Sequence, residues 1–230
     1  MLKQKKEDGA TKSLEKLLAF GNPSLGKTTA KEMKLTYRGE KLVPLPQAEK
    51  EVERIAKLYS SDSKVFIGVE AGEDRLKAEA ANCDVLHMAT HGVFDDKSPM
   101  YSHLVLSQST DPSKEDGLLE AWEIMKMDLQ ADIVVLSACD TARGKIGSGE
   151  GVIGLTWAFF VAGCPATVVS QWEVESASTS ELMLAFHENL KKSGLTVSKA
   201  LQQAELKLLR SDQHRHPFYW APFVVIGAGF

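Results

Sequence analysis

Six short apolar runs, separated by stretches of helical period, constrain this 230-residue chain more than anything else in it. The runs are LLAFG (17–21), KVFIGV (64–69), DVLHMAT (84–90), DIVVLSA (132–138), ATVVS (166–170) and FYWAPFVVIGAG (218–229). Runs of this length rich in Val and Ile read as strands buried on both faces, which is the signature of a mostly parallel sheet. The intervening stretches supply the helices. In QAEKEVERIAKLY, Ala48, Val52, Ile55, Ala56 and Tyr59 share one helical face, and Val197, Ala200, Leu201, Ala204 and Leu208 share another. Strands alternating with helices predict an α/β fold, a mostly parallel sheet flanked by helices.

Several finer features follow. Ser178 and Glu181 have capping-box spacing ahead of Leu182, Met183 and Phe186. EGVIGLTWAFFVA (150–162) is apolar almost all round and stops at Gly163, so it is expected to be buried in the core. Between the third and fourth core strands lies the insertion VFDDKSPMYSHLVLSQSTDPSKEDGLLEAWEI (93–124). Its HLVLSQ and GLLEAW, on either side of DPSKEDG, predict a β-hairpin running into a short helix. The first sixteen residues are polar and without period, so residues 1–16 are expected to be a lead-in or the stub of a longer protein, and 17–230 the folded domain.

Composition matters here for what it excludes. A net charge of −4 gives no electrostatic reason to expect nucleic acid or an anionic membrane as a partner. No apolar run reaches the length of a membrane span and no leader pattern opens the chain, so a cytoplasmic location is expected. Cys83, Cys139 and Cys164 are odd in number and widely spaced, which argues against both a disulfide framework and a zinc ribbon.

Residues 21–28, GNPSLGKT, satisfy the P-loop pattern G-x-x-x-x-G-K-[ST]. A working P-loop cradles phosphate with consecutive backbone N–H groups and continues into a helix. Here Pro23 removes one donor, and TTAKEMKLTYRGEKLVPLP after Lys27 sustains no apolar helical face. The metal-binding acid would have to be Asp140, with nothing else to support it, so a turn leaving the first strand is the preferred reading.

The chemistry-bearing residues stand at two strand ends. DVLHMATHG leads through His91 into Gly92, and DIVVLSACD reaches Cys139. Residues at the carboxyl ends of parallel strands face the crevice where open α/β sheets bind ligands. A cysteine and a histidine on separate strand ends suit a thiolate nucleophile and its general base. Gly92 allows close approach of a substrate backbone, and its N–H with that of Cys139 suits an oxyanion hole. On the residues alone, a small buried apolar Cys139 and a satisfied strand-end His91 stay open as the alternative. His87 and His91 are too far apart along a strand to chelate one ion, so His87 is read as structural and no metal is expected.

In order along the chain, HMATHG, DGLLEAWEI, LSACDTARGKIGSGEGVIGLTWAFFVAG, VVSQWEVES and HPFYWAPFVVIGAG resemble the successive signatures of CHAT domains, caspase-like cysteine peptidases often fused to tetratricopeptide repeats. The resemblance spans about Leu17 to Phe230. It implies a caspase/separase-type fold, His91 as general base and Cys139 as nucleophile of an endopeptidase that needs no cofactor. It also implies a protein substrate, and a tetratricopeptide-repeat or sensor module in the same or a partner protein that gates activity through the 93–124 insertion.

Two features set this sequence apart from relatives of that fold. Where several of them carry a substrate-binding aspartate two residues before the nucleophile, this chain has Ser137; of the acidic pair expected after the tryptophan of VVSQW, Glu175 is followed by Ser176. Glu173 and Glu175 are therefore the candidate pocket carboxylates, against the plainer reading of a solvated helix start. Asp95 and Asp96 are expected at the surface. GNP reads as a turn common after the first strand of CHAT domains. A non-catalytic interaction module keeping the same fold is the rival from another class.

Overall fold

A computed structural model describes residues 13–26, 42–95, 97–109, 115–137, 150–172, 175–192 and 195–228. Six strands form one sheet: β1 (Leu17–Pro23), β2 (Lys64–Gly68), β3 (Val85–Ala89), β7 (Ile133–Leu136), β8 (Ala166–Ser170) and β9 (Phe223–Gly227). Their order is β2-β1-β3-β7-β8-β9. All neighbours run parallel except β9, which closes one edge antiparallel to β8. The mostly parallel sheet read from the apolar runs is thus present.

Both faces of the sheet are covered. Alternate side chains of each strand point to opposite sides. Leu18, Phe20, Leu86, Met88, Val134 and Leu136 pack toward α2 (Glu73–Glu79), α3 (Ala121–Ile124) and α4 (Glu150–Val161). Leu17, Ala19, Val85, Ala89, Ile133 and Val135 pack toward α1 (Pro46–Ala56), α5 (Ser176–Leu190) and α6 (Val197–Leu209). Burial on this scale, at about 25 cal/mol per Å² of apolar surface, is what holds a fold of this class together.

The insertion builds a second, antiparallel sheet, β4 (His91–Val93), β5 (His103–Val105) and β6 (Leu118–Glu120), which leads directly into α3. The predicted hairpin and short helix are both there. The strand DVLHMATHG, however, is not continuous: β3 stops at Ala89, and after Thr90 the chain re-enters structure as β4 of the second sheet. His91 therefore opens a new strand instead of ending a core one.

Three further expectations change. Helix α5 begins at Ser176 with Glu175 at its N-cap position, so Ser178 and Glu181 form no capping box; the Ser178 hydroxyl donates to the Glu175 carbonyl at 2.9 Å instead. Helix α4 does end before Gly163, which takes φ +111°, but it is not wholly buried. Only one side of it can meet the sheet, and Trp157 and Val161, one turn apart, are 58% and 50% exposed. The first strand runs two residues further than read, through Pro23.

A polar cross-link sits inside the α1/α5 side. The Glu51 carboxylate accepts from His87 Nε2 at 2.9 Å and from the Ser180 hydroxyl at 2.8 Å. His87 Nδ1 in turn lies 3.0 Å from His187 Nε2, and His187 Nδ1 lies 2.7 Å from the Tyr59 hydroxyl. Each member of the chain has a partner. His87 is thus a structural residue that ties β3 to α1 and α5.

Burial, and secondarily His87, holds His187 well below the ordinary histidine range. The unfolded chain takes up a proton at His187 near pH ~6.5 while the native state does not, so this residue's contribution is lost as pH falls. Glu73 and Glu205, raised to about 8 and about 7, pull the other way and cancel in a comparison of parent with variant. Urea denaturation from about pH 7.5 to 5.5 is expected to show the parent losing stability relative to His187→Asn, by up to about 1.4 kcal/mol per pH unit. A pH-independent difference would refute it.

Candidate active site

His91 is 5% exposed, held where the two sheets meet. Its Nε2 lies 2.7 Å from the backbone carbonyl of Val43. A carbonyl only accepts, so Nε2 carries the hydrogen and Nδ1 keeps the lone pair. Burial lowers the pKa of this imidazole, and the Val43 carbonyl opposes that with a smaller effect. The outcome is a neutral histidine with one defined basic nitrogen.

The other predicted residues are distributed as follows. Strand β7 lies beside β3 in the register Met88↔Leu136 and ends just before Ser137. Ser137 is half-buried, and its hydroxyl is enclosed with no hydrogen-bond partner among the described residues. Gly92 sits opposite Leu104 in the β4–β5 ladder. Glu175 is at the solvated start of α5, its carboxylate 3.8 Å from His214 Nε2. No hydrogen bond or ion pair joins His91, Ser137 and Glu175 among the described residues. Cys139, Glu173, Asp96, Asp140 and the Lys27–Thr28 half of GNPSLGKT lie outside the described residues.

The two described cysteines are poor nucleophiles. Cys83 and Cys164 are buried, their thiols directed at the Ala80 and Ala166 carbonyls at 3.6 and 3.2 Å. Burial pushes the Cys83 thiol up to about 12, so it stays protonated at neutral pH. Among the described residues the Glu73, Glu115 and Glu123 carboxylates alone gather as metal ligands might, within 4.8 Å of one another. Lys77 Nζ already lies 2.7, 2.6 and 2.9 Å from them, an internal cation that fastens α2 to the insertion. A cleft of about 560 Å³ beside this cluster, lined by Lys77, Trp122, Glu123 and Lys126 among others, contains none of the predicted site residues.

The sequence reading missed two participants. The Val43 carbonyl is one; a backbone oxygen 48 residues away leaves no side-chain signal. The other is Asn22, at φ +48°, whose side chain meets Leu45 and Glu49. Gly21 beside it packs so tightly under α1 that an added Cβ would stand 2.7 Å from Val52 Cγ2. The GNP half of the P-loop match is therefore occupied by helix packing.

The architecture has solved counterparts. Separase of Saccharomyces cerevisiae, from its complex with securin, superposes with a TM-score of 0.54 at 16% identity over 95% of this chain and 12% of that one. The Arg-specific cysteine proteinase gingipain R gives 0.57 at 10% identity over 95% of this chain and 47% of that one. The fold is of the caspase-like class that these proteins share. The CHAT domain family model matches residues 2–228, and the chain belongs to that family. Human tetratricopeptide repeat protein 28 is 27% identical over 220 aligned residues, covering 80% of this chain and 8% of that protein. The mouse protein of the same name is 26% identical, covering 80% and 9%, so the chain spans under a tenth of these relatives' length.

The site geometry predicts the state of His91 in solution. Long-range ¹H–¹⁵N correlation of its imidazole is expected to show hydrogen on Nε2 alone at neutral pH, with a titration midpoint below the ordinary ~6.5. A midpoint at or above that value, or mixed tautomers, would contradict the geometry.

Proposed function

We propose that this CHAT domain is a cysteine endopeptidase acting on a protein substrate, with His91 as base and Cys139 as nucleophile. The observation that carries the reading is the buried His91 imidazole, fixed through Nε2 by Val43 so that Nδ1 is the basic nitrogen. A cysteine–histidine pair needs that preset tautomer. Strand register supports the pairing: β3 and β7 are aligned at Met88↔Leu136, and each proposed residue follows its strand's member of that pair by three positions.

In the proposed reaction, Nδ1 takes the Cys139 proton and the thiolate attacks the scissile carbonyl carbon, forming a C–S bond. The Gly92 and Cys139 N–H groups hold the resulting oxyanion. The tetrahedral adduct collapses to a thioester as the C–N bond breaks, and the imidazolium gives its proton to the departing amine. Water, deprotonated by His91, hydrolyses the thioester and regenerates the thiol. Every atom is supplied by protein, substrate and water.

Substrate selection falls to Glu175 and Glu173, with Ser137 lining the floor in place of an acid. Glu175 is exposed and not spent on a buried ion pair, which suits contact with a substrate. Gating by a tetratricopeptide-repeat module is proposed from the names of the relatives and the length they carry beyond the match. No described helix is long and apolar enough to cross a membrane.

A cleavage-site screen on a proteome-derived peptide library tests the reaction. Cys139→Ala is expected to abolish cleavage with the fold intact, and His91→Ala to lower the rate by about 10²–10⁴. A Cys139→Ala protein that cuts like the parent would sink the peptidase reading in favour of a scaffold role. Glu175→Gln is expected to change the preferred residue before the scissile bond; an unchanged profile removes it from the pocket.

A further inference from the structure

The segment that supplies the Val43 carbonyl is shallowly held. Val43 is 61% exposed and Pro44 is exposed as well; Leu42 alone packs inward, against Val93 and Val105. Apolar burial therefore anchors one end of the segment and leaves the carbonyl itself unbraced. On its other side, toward α1, the contacts that help hold this oxygen 2.7 Å from His91 Nε2 are polar.

Asn22 supplies them. Its Oδ1 accepts from the Leu45 backbone N–H at 2.7 Å, two residues beyond Val43, and its Nδ2 donates to Glu49 Oε2 on the first turn of α1 at 3.0 Å. The amide orientation is unambiguous, because an N–H must face oxygen and a carboxylate must face a donor. Leu45 occupies the N-cap position of α1 and has no side-chain oxygen of its own. Asn22 reaches it only because the backbone turns to φ +48° at the end of β1, a conformation that asparagine tolerates better than most residues. Gly21 completes the fit by letting α1 lie against the strand.

We infer that Asn22 is a positioning residue for the peptidase site: it clasps Leu45 and Glu49, sets the Val43 carbonyl, and thereby fixes the His91 tautomer. This rests on the reading of His91 as the base of Cys139. It gives the GNP motif a task in catalysis in place of the phosphate binding its pattern suggested. Asn22 touches no reacting atom, so its loss acts through His91.

The test uses the full chain and three variants, each first checked for a cooperative thermal unfolding transition. Asn22→Gly keeps the backbone conformation available and removes only the clasp. Two readouts follow: the His91 imidazole tautomer by ¹H–¹⁵N correlation, and the pH dependence of iodoacetamide alkylation at Cys139, located by mass spectrometry. Asn22→Gly is expected to give mixed His91 tautomers and about tenfold slower alkylation near pH ~6.5, as misplaced catalytic groups do. Its profile moves toward that of an ordinary thiol near ~8.5. The double variant Asn22→Asp/Glu49→Gln exchanges donor and acceptor across the clasp and is expected to restore both readouts. His91→Ala separates the two ideas. If it leaves alkylation like the parent, the dyad fails, whatever Asn22 does. If it slows alkylation but Asn22→Gly changes neither tautomer nor rate, the dyad stands and the clasp is overturned. Failure of the double variant to recover where Asn22→Gly is impaired also overturns it.

Discussion

A parallel sheet has no solvated face, because each crossover lays a helix over one side or the other. That constraint orders the rest of this molecule. It calls for apolar residues along Leu17–Phe20, Val85–Ala89 and Ile133–Leu136, with His87 the one polar exception, splits the core into two clusters either side of the sheet, and leaves the strand ends as places where polar chemistry can meet solvent. His91 lies three residues past Met88, just beyond where the central pairing stops, and so can be both enclosed and reactive.

Polar groups inside such a structure are tolerated only as complete networks. The Glu51–His87–His187–Tyr59 chain meets that condition, and it joins β3 to α1 and α5 in fixed relative position. Helix α1 is the shared part. Its body is locked by Glu51 from within, its first turn is clasped by Asn22, and the backbone just before it presents Val43 to His91. The His91 imidazole is thus oriented by the chain that enters the same helix covering the sheet, which ties its geometry to core packing.

On the other side, Lys77 among Glu73, Glu115 and Glu123 fastens the insertion to α2. Burial raises Glu73 to about 8, and Leu104, Leu119 and Ile124 of the 93–124 segment are buried on this same side of the sheet.

Several features were legible because they depend on local pattern. Val/Ile-rich runs marked the strands, DPSKEDG marked the hairpin, and Gly163 marked the end of α4. Others were not. The break at Thr90 depends on His91 pairing with Val105 of the insertion, and the exposure of Trp157 depends on which side of an all-apolar helix meets the sheet. The sequence by itself determined a parallel α/β domain of the CHAT family and nominated His91, since residue types and periodicity are local properties of the chain. Only tertiary structure decided which nitrogen of His91 is basic. That choice is made by a backbone oxygen at Val43 and an amide at Asn22, and a backbone group carries no residue identity from which it could be read in advance.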